Sequence, residues 1–247
     1  MKATPQAQAA LLELAACDTE LDRIAHRLAT LPEQQRCRDL EGQAETAAER
    51  VVRANTRVTD LERAVRKAEA EVEKVRARAQ RDATLLNSGQ IVATKQLTDL
   101  EHEIATLGRR QAELEDAELE VLELLEEAQA EVGAAEVAQQ QVRDSLVVAQ
   151  QDAATATAAA KAEQEQWQQR RDGVLSGIPA DLLDLYQKIR RDTGGNAAGL
   201  VRYGRCEVCQ MELATADLSE VRAAPADEVV RCPECRSIMV RTEESGL

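Results

Sequence analysis

The chain has 247 residues, 44% hydrophobic and 31% charged, with no Phe, one Trp and two Tyr, so its apolar content is largely Ala, Leu and Val. That composition belongs to long helices and excludes a large aromatic-rich globular core. A formal charge of -14 opposes approach to free nucleic acid and anionic membranes at long range, and no apolar run approaches the ~18 residues of a membrane span.

Apolar residues are dispersed from the start, with no signal-peptide pattern, and a cytoplasmic protein is expected. Leu14, Cys17, Leu21, Ile24, Leu28 and Leu31 form a first heptad strip that stops at Pro32. Proline lacks a helix donor and restricts the residue before it, so a break or sharp kink is expected there. The short first helix should pack beside the base of whatever follows.

From Cys37 to Ala79 thirteen apolar positions keep an unbroken 3,4 spacing through Leu40, Ala44, Ala47, Val51, Ala54, Val58, Leu61, Val65, Ala68, Val72 and Val75. A second seam runs from Leu97 to Ala160, interrupted by Gln111, Glu118 and Gln139, which can fix register or open a partner site. Between the seams, Asn87-Ser88-Gly89 supplies turn chemistry, placing the tip of an antiparallel hairpin near 87–93. Reversal near Ser88 would set residue i opposite roughly 176 minus i, with Ala79 facing Leu97 and Cys37 facing Gln139. At about 1.5 Å per residue the helix after Pro32 would extend roughly 80 Å, with surface for partners and no obvious substrate pocket.

Charge supports that pairing. Residues 35–81 carry 12 basic and 9 acidic side chains, whereas residues 95–141 carry 3 and 13. Opposite excess on neighbouring helices favours pairing, although each exposed ion pair contributes only about 0–1 kcal/mol. Cys17 and Cys37 sit on seams and read as small apolar residues, and His26 and His102 as helix surface.

The coiled-coil pattern fades after Trp167. Gly173, Ser176-Gly177 and Pro179 break the helix, Ala180 to Arg191 reads as a short amphipathic helix, and Thr193-Gly194-Gly195-Asn196 ends it. Three strand-like pieces follow, at 200–203, 228–231 and 238–241. Each adjoins one of two Cys-x-x-Cys pairs, Cys206/Cys209 and Cys232/Cys235, with 22 residues between the pairs. Two such knuckles supply the four thiolates of a closed tetrahedral zinc site, and the slightly long gap costs little because added loop length is entropically cheap. A redox dithiol needs one pair, a disulfide framework suits a small secreted domain, and a catalytic zinc keeps a position open and usually recruits His or carboxylate. One structural Zn2+ is the reading, with about -16 net charge once four thiolates hold it.

The expected class is mainly α: a long antiparallel coiled-coil hairpin over 1–178, a short helix and linker over 179–196, and a small β zinc ribbon over 197–247. The pattern resembles a bacterial family with an N-terminal coiled-coil hairpin and a C-terminal C4-type zinc ribbon. Carrying the resemblance are Leu12-Glu13-Leu14 with Glu20-Leu21-Asp22, Ser88-Gly89 followed by Lys95-Gln96-Leu97, Leu100-Glu101-His102-Glu103-Ile104, and Arg109-Arg110-Gln111 with Glu113-Leu114-Glu115-Asp116. It implies binding, of nucleic acid or protein, rather than catalysis. Flagellated relatives look like regulators that engage a flagellin transcript, an alternative sigma factor and export-apparatus components. Only the zinc ligands carry over residue by residue.

An enzyme is not expected, because no nucleophile, base and orienting group converge and no Gly-rich phosphate loop appears. A protein-binding adaptor is favoured over a nucleic-acid binder. Arg202, Arg205, Arg231, Arg236 and Arg241 are the candidate nucleic-acid or partner contacts, with Arg222 also on the ribbon. Residues 197–247 nevertheless hold nine acidic side chains against six basic ones, and Tyr203 is their only aromatic.

Overall fold

The computed structural model describes residues 1–246. The first helix, α1, spans Pro5–Ala29, opened by Thr4, whose hydroxyl accepts from the Ala7 amide at 3.2 Å. After two intervening residues α2 starts at Pro32, where a missing N–H is harmless, and runs to Asn87. α3 spans Thr94–Leu175 and α4 spans Ala180–Thr193, the latter closed by Gly194 at φ 66°. The chain divides into two compact units, 36–150 and 1–35 joined with 151–247.

Within unit 36–150, α2 and α3 pack antiparallel. All thirteen seam positions from Cys37 to Ala79 are buried or half-buried, as are those of α3, its three polar interruptions included. Ion pairs cross between the helices, among them Arg57–Glu131 at 2.8 Å, Arg76–Glu115 at 3.1 Å and Arg78–Glu103 at 2.5 Å. In each the basic partner is on α2 and the acid on α3, the direction the charge excess demands.

The register corrects the expectation. Arg57, Arg76 and Arg78 were expected opposite 119, 100 and 98; their acidic partners lie 12, 15 and 5 positions further on. Part of the offset is the turn itself, whose non-helical residues 88–93 centre beyond Ser88. The remainder follows from the repeat: slipping one helix by a heptad returns every apolar residue to the interface, so 3,4 spacing alone does not select among registers.

In the other unit a four-stranded sheet forms from β1 (Ala198–Arg202), β2 (Arg205–Cys206), β3 (Val230–Arg231) and β4 (Ile238–Val240), ordered β2-β1-β4-β3. β1 and β4 run parallel, with Ala198 opposite Ile238 and Leu200 opposite Val240; the outer pairs are antiparallel. Strand alternation divides β4 between two cores. Ile238 and Val240 join Leu11 and Leu14 of α1 and Leu182, Tyr186 and Ile189 of α4, while Met239 faces the opposite layer with Val201, Leu213, Val221, Cys206 and Cys232. The ribbon is therefore built onto α1 and α4 through a shared core.

The two-residue strand β2 and three further features were not foreseen. A fifth helix, α5 (Thr215–Ala223), fills the gap between the cysteine pairs. Met1 to Ala3 add an extended segment beside 227–229, through Ala3 N–H to the Asp227 carbonyl at 2.7 Å and Val229 N–H to the Met1 carbonyl at 3.1 Å. Asp18, only 2% exposed, accepts from Arg171 Nε at 2.7 Å and the Tyr186 hydroxyl at 2.8 Å, with Arg190 also near. Burial, reinforced by the hydrogen bond and charge of Asp18, pushes the Tyr186 phenol above its ordinary range.

Candidate metal centre

Each cysteine pair folds into the same knuckle. The N–H of Gln210 donates to the Cys206 carbonyl at 2.8 Å, and that of Arg236 to the Cys232 carbonyl at 3.0 Å. Both Gln210 (φ 62°) and Arg236 (φ 64°) take the left-handed conformation that turns the chain back. The return is closed by Cys206 N–H to the Met211 carbonyl at 3.0 Å and Cys232 N–H to the Ser237 carbonyl at 2.9 Å. In both knuckles the first cysteine is buried and the second half-buried.

The four Sγ atoms all lie within 4.8 Å of one another. Cys206 and Cys235 are 3.8 Å apart, and Cys209 and Cys232 are 3.9 Å apart. A tetrahedral zinc with bonds of ~2.3 Å sets its sulfurs ~3.8 Å apart, so the spacing fits one zinc ion. Four thiolates complete the tetrahedron without water, which suits a structural ion.

The metal-free thiols are unequal. Burial pushes Cys206 up to about 12 and raises Cys232. At Cys235 burial also works upward, but hydrogen bonds involving Ser237 and neighbouring thiols win and bring it down to about 7. Four thiolates in this pocket need a cation to offset their mutual repulsion.

Two contacts seat the knuckles. A Cβ added at Gly199 on β1 would lie 2.5 Å from Val208 Cγ2 and 3.3 Å from the Val208 amide nitrogen, so the first knuckle crosses β1 where only glycine admits it. Arg241 holds the α5 end: Nη1 donates to the carbonyls of Val221 (3.0 Å) and Ala224 (2.6 Å), and Nη2 to those of Pro225 (2.7 Å) and Glu228 (2.9 Å).

Of the five candidate contact arginines, Arg241 is the one bound to backbone at both Nη atoms. Its guanidinium is engaged with backbone and only partly exposed. The other four are exposed but fall into two groups. Arg202 and Arg205 flank the turn Tyr203-Gly204 at the β1–β2 edge, with Arg202 Nε 3.5 Å from Glu207. At the opposite side of the sheet, Arg231 on β3 donates from Nε to the Arg236 carbonyl at 2.8 Å. Tyr203 itself is 79% exposed at φ 48°, a conformation rarely adopted by a bulky side chain. His26 and His102 are exposed on helices, Cys17 is fully buried and Cys37 half-buried.

The chain matches the CT398-like coiled coil hairpin domain over residues 14–194 and the C4-type zinc ribbon domain over residues 205–239. An uncharacterized protein of Mycobacterium tuberculosis is 42% identical over 243 residues, covering 98% of each chain. One from Mycobacterium leprae is 32% identical over 227 residues, covering 90% of this chain and 95% of its own. Among solved structures, a Mycobacterium smegmatis protein superposes with TM-score 0.84 at 37% identity, covering 98% of this chain and all of its own. CT398 from Chlamydia trachomatis superposes with TM-score 0.70 at 11% identity, covering 96% and 98%, a likeness of fold alone.

Proposed function

The chain belongs to the CT398-like coiled-coil hairpin family, and from that premise we propose that it is a non-enzymatic adaptor or regulator that binds protein partners through hairpin and ribbon. In this reading Cys206, Cys209, Cys232 and Cys235 hold one structural zinc, and the protein acts in the cytoplasm. The carrying observation is how the charged side chains are used. The most buried polar cluster, Asp18 with Arg171, Tyr186 and Arg190, is engaged in internal bonds, which supports a structural role rather than chemistry. Across α3 the exposed acids outnumber the arginines that reach them, leaving a negative surface suited to a basic protein partner. No helix among the described residues is long and apolar enough to cross a membrane.

Nucleic-acid binding is the second reading, and one observation favours it. Tyr203 stands out from a turn between Arg202 and Arg205, offering a ring for a base and two cations for phosphate. Against it stand the acidic balance of the ribbon and the division of the arginines between opposite sides of the sheet. The discriminating experiment is RNA binding by the zinc-loaded protein at physiological salt, with Arg202, Arg205 and Arg236 replaced together by Ser. The adaptor reading expects weak binding that falls steeply with salt through counterion release. Tight binding abolished by the triple change, with zinc retained, would establish the nucleic-acid reading instead.

A further inference from the structure

A groove of about 650 Å³ runs between α5 and the β3 side of the sheet. Val230 and Pro233 are among its apolar walls, and Asp217, Glu220 and Glu228 are its acids. Its one basic residue, Arg231, has Nε turned to the Arg236 carbonyl. When zinc is bound, the adjoining thiolate centre adds about -2 to the same neighbourhood. β3 is an outer strand of the sheet, so an extended chain can lie along this side.

The molecule already seats one such segment on the adjoining residues 227–229. Residues 1–3 lie antiparallel to 227–229, and Lys2 Nζ meets Asp227 at 2.9 Å. A short basic extended strand on an acidic stretch of backbone is thus realised within the chain itself, immediately beside the groove. Asp227 is held below the ordinary carboxylate range by that lysine.

We propose that the groove is a docking site for a basic, extended peptide segment of a protein partner, with lysine or arginine on Asp217, Glu220 and Glu228 and an apolar side chain against Val230 and Pro233. The proposal rests on the protein-binding reading above and gives it a location and a ligand chemistry. A phosphate backbone would meet three carboxylates at this place and be repelled.

The test uses the full zinc-loaded chain and a fluorescein-labelled peptide, Gly-Lys-Leu-Arg-Leu-Lys-Gly, with a glutamate-for-base version as control. The basic peptide should bind saturably and the acidic one should not. Replacing Asp217→Asn, Glu220→Gln and Glu228→Gln together should weaken binding about tenfold, each exposed charge contributing roughly twofold. Removing the same charge from α2, with the exposed Glu41→Gln, Glu45→Gln and Glu62→Gln, should leave it nearly unchanged. Equal loss in both triples, or none in the groove triple, would overturn the site. In the unmodified chain, amide shifts of Val229 and Val230 and the Met239 methyl signal should move with peptide, and their failure to move would also overturn it. RNA binding by the ribbon arginines would contradict the adaptor reading separately, since none of the groove carboxylates takes part in it.

Discussion

The hairpin unit and the ribbon unit are stabilised in different ways. In the hairpin, the same small contact recurs: Val58, Leu61, Val75 and their counterparts on α3 are half-buried, and only Ala54, Val65 and Val72 on α2 are buried. The contacts repeat along the seams, and a heptad slip would return the apolar residues to the interface. In the ribbon unit each contact occurs once: Asp18 under Tyr186, Gly199 under Val208, Arg241 across four carbonyls, and four sulfurs about one point. Repetition makes a region tolerant and leaves its register to charge and turn, whereas single contacts make a region specific and brittle.

The widest separation between the two regions should come from the metal. Cys232→Ser is expected to abolish stoichiometric zinc binding and unfold the ribbon layer while the hairpin stays helical, because the seams do not depend on zinc. Metal analysis together with circular dichroism checks this; global helix loss would show that the regions are not separable. In the native protein, one zinc per chain is expected, released as pH falls because protons compete for the thiolates.

Next in size is Asp18→Ala. It strands Arg171 and the Tyr186 hydroxyl under α1, so a loss of about 3–5 kcal/mol is expected from chemical denaturation. Val65→Ala in the seam removes a buried side chain whose surroundings can close in, and a loss of roughly 1–2 kcal/mol is expected. Equal losses would erase the contrast.

Gly199→Ala forces Val208 and the first knuckle away from β1, and should cost about 1–3 kcal/mol while loosening zinc. Faster metal transfer to a chelator is the readout. Gly108→Ala, in a helix where an added Cβ meets nothing within 4 Å, should instead stabilise by roughly 0.5–1 kcal/mol. The least invasive probe is a pair of spin labels within one chain. A label at position 58 should lie closer to one at position 130 than to one at 118, and the reverse would restore the register first expected.

How much was legible follows the same division. The helical seams were readable because the 3,4 repeat is local, and the four cysteines because x-x spacing is a local geometric requirement. Pro32 announced the α1–α2 break through its own covalent structure. α5 was not readable: it has no side-chain N-cap hydrogen bond, and tertiary contacts through Val221 and Arg241 hold it. Asp18 meets partners more than 150 positions away, and Lys2 meets Asp227 across nearly the whole chain. One local signal for Asp18 existed, since it lies one turn beyond Leu14 on the buried side of α1, where an acid requires a partner.

The proposed role is tested most directly by capturing partners of the intact, zinc-loaded protein from a lysate of its native cells, with and without nuclease. A specific protein partner should survive nuclease and bind the purified chain directly at physiological salt. Loss of every partner after nuclease, with RNA recovered in the untreated sample, would contradict protein binding as the primary function.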